Sequence, residues 1–169
     1  MIVSIIGLGY IGLPTAAVLA SRGVQVIGVD VNQHAVDMIN QGKIHIVEPE
    51  LDTLVRKVVK GNFLRAVNKP EKVDIFIVAV PTPLKSDHEP DLSHIKSAAK
   101  AIAKVLVRGN LIILESTSPV GTTEKMMGWM KEDRADLSFP EFGNDQVIAD
   151  ISVAHCPERV LPGQVLREL

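Results

Sequence analysis

Six residues near the start of the chain, Gly7-Leu8-Gly9-Tyr10-Ile11-Gly12, constrain it more than any other stretch, because of what flanks them. The apolar run Ile2-Val3-Ser4-Ile5-Ile6 before them is strand-length, and residues 13–23 after them suit a helix. A second apolar run, residues 24–29, ends on Asp30, 18 positions beyond Gly12. Alone, a Gly-x-Gly-x-x-Gly string is weak evidence. Closing a strand, opening a helix and followed by an acid at this distance, it is the fingerprint of a dinucleotide site.

Each residue type has a physical role there. Gly7 permits a tight turn out of the strand, and Gly9 lets backbone approach a pyrophosphate with no side chain between. Gly12 allows the helix to pack closely on the strand, and the free N–H groups at the helix start face the phosphates. Asp30 can accept hydrogen bonds from both ribose hydroxyls, and its charge repels a 2′-phosphate. Val31 and Asn32 follow it, with no arginine alongside to receive that phosphate, so NAD is expected over NADP. The alternative is an ordinary βαβ unit whose glycines serve packing alone.

Length and composition fit this expectation. The 169 residues suffice for one domain, and 46% hydrophobic against 22% charged residues can fill a sizeable core. A formal net charge of −2 and 4% aromatics give no basis for a nucleic-acid or anionic-membrane surface. Met-Ile-Val-Ser-Ile-Ile lacks a basic leader region, and no uninterrupted apolar stretch reaches membrane-spanning length. The single Cys156 excludes an internal disulfide and suits a reducing cytoplasm. A cytoplasmic chain with no membrane association is expected.

Further along, helices are expected at residues 33–41, capped by Asn32 and stopped by Gly42, and at 50–60. A short strand is expected at 63–67. Residues 73–80 are almost wholly apolar, as in a parallel strand covered on both faces, and end in Pro81-Thr82-Pro83, which forces a rigid loop. A helix follows over about 92–106 with Asp91 as its cap, then a buried strand at 111–114. The loop 115–123 leads into a helix over 124–132, where Met126, Met127, Trp129 and Met130 are expected to face the core. Residues 134–150 show little regular pattern, and a short strand is expected at 151–155. Strands alternating with helices predict an α/β fold: a Rossmann-type, doubly wound, mainly parallel six-stranded sheet with helices on both faces, occupying residues 1–169 as one domain. Ligands bind such sheets at strand carboxyl ends, so segments 7–12, 81–83, 116–123 and 156–163 should converge.

Chemistry at those loops is carried by few side chains. Thr117, between a buried strand and a proline-containing turn, can hydrogen-bond a nicotinamide, a substrate hydroxyl or a water; equally, it can be a helix cap. Thr82, between two prolines, poses the same choice. Glu158 can act as a general base or orient a water, or can simply pair with Arg159, whose fork of donors suits an anionic or hydroxyl-rich substrate. Cys156 lacks an activating basic cluster, and small buried cysteines are commoner than reactive ones, so it is not assigned as a nucleophile. Five histidines show no metal-ligand spacing, and no metal is expected.

Taken together, Gly7-Leu8-Gly9-Tyr10-Ile11-Gly12-Leu13-Pro14, Val80-Pro81-Thr82-Pro83, Pro90-Asp91-Leu92, residues 115–123 (Glu-Ser-Thr-Ser-Pro-Val-Gly-Thr-Thr) and residues 156–163 (Cys-Pro-Glu-Arg-Val-Leu-Pro-Gly) resemble the nucleotide-sugar dehydrogenases, the UDP-glucose/UDP-N-acetylmannosamine dehydrogenase family. Ile44-His45-Ile46-Val47-Glu48-Pro49 and the Cys-Pro-Glu-Arg form look like the branch acting on UDP-N-acetylmannosamine. The resemblance implies two successive hydride transfers to two NAD molecules, giving the uronic acid, and in bacteria a place in surface polysaccharide synthesis. It implies NAD contacts from Gly7, Gly9, Gly12, Tyr10, Ile11, Asp30, Val80, Thr82 and a threonine of the 117–123 loop, Thr117 or Thr123. Thr117 would hold the catalytic water or substrate oxygen, Glu158 would assist hydrolysis of a thioester, and Arg159 and Val160 would touch the UDP-sugar.

In that family the nucleophilic cysteine, a catalytic lysine, a central dimer helix and a second, UDP-gripping domain lie downstream. The chain is therefore expected to hold NAD without turning over by itself, and the complete enzyme to be a homodimer. Two other readings stay open: a free-standing Rossmann module that senses NAD(H), and a related dehydrogenase acting on another UDP-sugar or on a hydroxy acid.

Overall fold

A computed structural model describes residues 1–86, 88–141 and 148–158. Among the described residues six strands and five helices follow one another: β1 (Ile2–Ile6), α1 (Gly12–Ser21), β2 (Gln25–Val29), α2 (Gln33–Asn40), α3 (Leu51–Lys60), β3 (Leu64–Val67), β4 (Ile75–Val78), α4 (Ser93–Ala103), β5 (Leu111–Leu114), α5 (Thr122–Asp133) and β6 (Ser152–His155). All five strand pairings are parallel, in the order β3-β2-β1-β4-β5-β6. That is the doubly wound Rossmann arrangement. The chain winds outward from β1 to β3, then crosses back to β4 on the other side of β1. The switch point therefore lies between β1 and β4, at their carboxyl ends.

Alternation along the strands builds two cores. Val3, Ile5, Val26, Leu64 and Ala66 pack with Leu13, Ala16, Ala17, Val36, Ile39, Leu51, Val55 and Val58 of α1, α2 and α3. On the opposite face Ile6, Ile27, Val29, Phe76, Val78, Ile112 and Leu114 pack with α4 and α5 through Ile95, Ala99, Ile102, Met126, Met127 and Met130. The expected methionine face is thus core; Trp129 packs at its edge, with the Lys96 ammonium 5.7 Å from its ring centre.

Local chemistry sets the boundaries. Asn32 caps α2, its side chain accepting from the N–H groups of His34 and Ala35. Gly42 follows in the left-handed region, at φ 71°. Asp91, expected as the cap of α4, accepts from the Ser93 N–H at 2.9 Å, but the N-cap position is Leu92, so Asp91 braces the turn one residue before it. Several extents differ from the sequence reading. Strand β4 is limited to residues 75–78, because beyond it the backbone turns into the proline loop. Helix α4 ends at Ala103 rather than near Leu106, and the Leu106 carbonyl is taken up by Arg134, Nη1 at 2.6 Å. Helix α5 starts two residues earlier, at Thr122.

Candidate functional site

The glycine turn is fixed by backbone crowding. Gly7 has φ 93°, and a Cβ there would lie 2.7 Å from the Ala79 carbonyl oxygen of the neighbouring strand end. At Gly12 a Cβ would fall 1.8 Å from the Gly7 carbonyl oxygen. Neither position can carry a side chain without moving the turn. Gly9 is different: a Cβ there meets nothing within 4 Å, so its missing side chain leaves a clear approach to the backbone. Helix α1 opens at Ile11 with no side-chain cap and no acid in its first turn. Its positive end is left for an anion.

Asp30, at the end of β2, is already tied to the turn. Its Oδ2 accepts from the Leu8 N–H and its Oδ1 from the Asn32 N–H, both at 2.9 Å. These bonds orient the carboxylate and leave further lone pairs for ribose hydroxyls. Sequence reasoning missed why Gly28 lies in β2. A Cβ there would come within 2.7 Å of the fully buried Leu8 side chain, so Gly28 makes the room that seats Leu8 and brings its amide to Asp30.

Beside the turn lies a cleft of about 400 Å³, within the range of small-molecule sites. Gly9, Tyr10 and Ile11 line one side, Ala79, Val80, Pro81 and Thr82 the next, and Ser116, Thr117 and Glu158 the far end. Described residues of all four expected segments line it, the last segment through Glu158. The Thr82 hydroxyl donates to the Thr117 carbonyl at 2.6 Å and locks the β4 and β5 loops together. The Ser116 hydroxyl, overlooked in the sequence, reinforces this by donating to the Val80 carbonyl at 2.8 Å.

Thr117 is not a cap. Helix α5 begins five residues later behind Gly121, and Thr122 satisfies the Pro119 carbonyl itself. The Thr117 hydroxyl instead donates to Glu158, 3.1 Å from Oε2 and 3.4 Å from Oε1. An exposed threonine and a half-buried glutamate from two separate loops are thus paired at the far end of the cleft. Thr123 lies elsewhere, in a second depression with Ser118, Val120, Val153 and His155. Of the two threonines considered for the cofactor, only Thr117 lines the main cleft. Arg159 and Val160 fall outside the described residues. Cys156 is exposed, whereas the sequence reading favoured a buried thiol; only its backbone is engaged, the N–H donating to the Leu114 carbonyl.

Behind the cleft sits a group that sequence reasoning did not single out. Glu115 directly follows β5 and is 9% exposed. Its Oε1 accepts a long hydrogen bond, 3.4 Å, from Thr15 of α1, and its Oε2 is buried without a partner among the described residues. Desolvation raises its pKa to about 7, the Thr15 hydroxyl opposing this and the charge of Glu158 adding to it. A charged residue closing the apolar Leu-Ile-Ile-Leu strand was the available signal.

The residues present fit NAD: an uncapped helix start, an open backbone approach at Gly9 and an oriented Asp30. The family model for the NAD-binding domain of the UDP-glucose/GDP-mannose dehydrogenases matches residues 1–169. The chain is 65% identical over 168 residues to a UDP-N-acetyl-D-mannosamine dehydrogenase of Campylobacter jejuni, covering 99% of this chain and 41% of that protein. It is 63% identical over 167 residues to an NDP-N-acetyl-D-galactosaminuronic acid dehydrogenase of Ralstonia solanacearum, covering 99% and 39%. A solved UDP-D-ManNAc dehydrogenase from Pyrococcus horikoshii superposes with a TM-score of 0.89 at 40% identity, over 99% of this chain and 38% of that one. The chain thus spans about two fifths of the relatives it matches. The chain belongs to the UDP-glucose/GDP-mannose dehydrogenase family, whose NAD-binding domain it carries.

Proposed function

We propose that residues 1–169 are one cofactor domain of an NAD-dependent UDP-sugar dehydrogenase, which oxidises UDP-N-acetyl-D-mannosamine to UDP-N-acetyl-D-mannosaminuronate for bacterial surface polysaccharide synthesis. The pairing of Thr117 with Glu158 at the end of the cleft carries this reading, with the likeness to the Campylobacter jejuni enzyme. Bound NAD supplies the hydride acceptor. Gly7, Gly9 and Gly12 shape the phosphate approach, Asp30 receives the ribose, and Tyr10, Ile11, Val80 and Thr82 flank the remainder. Thr117 holds a substrate oxygen or water, and Glu158, one bond away, takes its proton or orients it for hydrolysis of an acyl intermediate. Arg159 and Val160 as substrate contacts complete the assignment, while Thr123, set apart from the cleft, is left out of it.

The nucleophile for that acyl step belongs to sequence beyond this domain, so the 169-residue chain binds NAD but does not reduce it. The complete enzyme is proposed to be a cytoplasmic homodimer; among the described residues no helix is long and apolar enough to cross a membrane. Calorimetry tests the first half of the reading: NAD should bind more tightly than NADP, and equal or tighter NADP binding overturns the role of Asp30. The second half is tested by following NADH formation by the whole gene product on UDP-N-acetylmannosamine. A second substrate, the N-acetylgalactosamine counterpart, is worth the same assay, because the Ralstonia relative is almost as similar. A cofactor domain holds what both reactions share. Reduction of NAD by the isolated chain with a UDP-sugar would refute the division of labour.

A further inference from the structure

Glu115 has no part in the site as proposed, yet it occupies a costly position. Its side chain is 9% exposed, one carboxyl oxygen has no partner among the described residues, and the other has only the Thr15 hydroxyl at 3.4 Å. A structural carboxylate would be paired with a cation or with several N–H groups. None is supplied by the described residues. From α1 the carboxyl faces Thr15, the β4 loop (Ala79, Val80, Pro81, Thr82) brings no charge, and from the segment after β6 the titratable group acting on it is Glu158. His155 turns its Nδ1 to the Leu114 carbonyl at 3.0 Å. The next two residues in sequence, Ser116 and Thr117, line the end of the cleft.

We infer that Glu115 is a charge sensor for the redox state of the cofactor, giving up its proton to solvent when a nicotinamide cation enters the cleft and keeping it when the neutral, reduced ring is bound. This rests on the proposed cofactor reading. The physical basis is linkage: a cation brought near a buried carboxyl favours the carboxylate, so ring charge and carboxyl proton exclude each other. Burial already holds the group's pKa at about 7, where a modest field changes its protonation near neutrality. Glu115 acts through the bound ring's charge rather than by touching substrate, and is a positioning residue. Its effect is to favour NAD over NADH as pH rises, in the direction of oxidation.

The experiment is calorimetric titration of the purified chain with NAD and with NADH, at several pH values and in buffers of different ionisation enthalpy, which counts protons released. Wild type should release part of a proton on binding NAD near pH 7 and markedly less on binding NADH. Its NAD affinity should rise about threefold to tenfold from pH 6 to pH 8, while NADH affinity stays flat. Glu115→Gln should remove both the release and the slope. A ¹³C titration of the Glu115 carboxyl in wild type, with and without NAD, checks the same shift without relying on the variant. NAD binding with no proton release, or release that persists in Glu115→Gln, overturns this inference and leaves the cofactor role standing. Binding of neither nucleotide overturns both.

Discussion

The two halves of the sheet hold their ligand-facing groups by different means. In the half containing β1, β2 and β3, the apparatus is mostly backbone: two glycines with no room for a Cβ, one with open space, an uncapped helix start and a single acid tied to the turn. All of it lies within thirty residues. In the half containing β4, β5 and β6, the groups are side chains brought from three loops, joined across 35 and 41 residues by Thr82 to Thr117 and Thr117 to Glu158. A backbone site tolerates no added atom but asks little of side-chain identity elsewhere. A side-chain site tolerates small structural changes but depends on specific polar atoms. Substitutions in the first half should therefore act on folding, and those in the second on proton and ligand equilibria.

The largest expected effect tests the first claim. Gly12→Val drives a Cβ into the Gly7 carbonyl and should destabilise the fold by about 3 kcal/mol or more, read as a fall in the denaturant midpoint. A near-neutral result would show the turn can rearrange. Next comes a pH effect from the second half. The folded-state pKa of Glu115, about 7, stands above its ordinary value of 4.5, so the native state binds that proton more tightly than the unfolded chain. Its contribution is fully present below about pH 4.5 and lost as pH rises through about 7, amounting to at most about 3 kcal/mol. Unfolding curves of wild type and Glu115→Gln over that window should diverge accordingly; parallel curves would place the carboxyl in a wetter setting.

Asp30→Ala blurs the division, since this one side chain serves both fold and ligand. Loss of its bonds to the Leu8 and Asn32 amides should cost about 1–2 kcal/mol, and NAD affinity should fall about tenfold while the preference over NADP narrows. An affinity change with no change in stability would mean the amides find other partners. The smallest effect lies at Glu50, the N-cap of α3, held at φ 64° with no side-chain cap bond. Glu50→Gly relieves a left-handed strain and should raise stability by about 0.5–1 kcal/mol, offset in part by the greater freedom of glycine when unfolded. A loss of stability would reveal a contact that holds the strained residue in place.

Strand and helix order, the sheet's parallel character, the NAD-binding class of the domain and the approach of the loops were all legible in the chain. Each depends on short-range patterning: apolar runs of strand length, caps such as Asn32, and glycines at a strand-to-helix turn. Even the convergence followed from a topological rule, because loops at strand carboxyl ends of one parallel sheet must share an edge. Side-chain partnerships did not follow. That Thr117 meets Glu158 depended on a loop 41 residues further along the chain, which no local pattern places. The separation of Thr123 from the cleft and the exposure of Cys156 had no sequence signal.

The glycine turn and Asp30 are determined by sequence alone, since backbone sterics and a fixed spacing leave one workable geometry. Glu115 is the opposite case. One glutamate at the end of an apolar strand is an ordinary residue until α1, the β4 loop and the segment after β6 close around it. Only that tertiary burial, which removes water and brings no counter-charge from the described residues, pushes its pKa up to about 7.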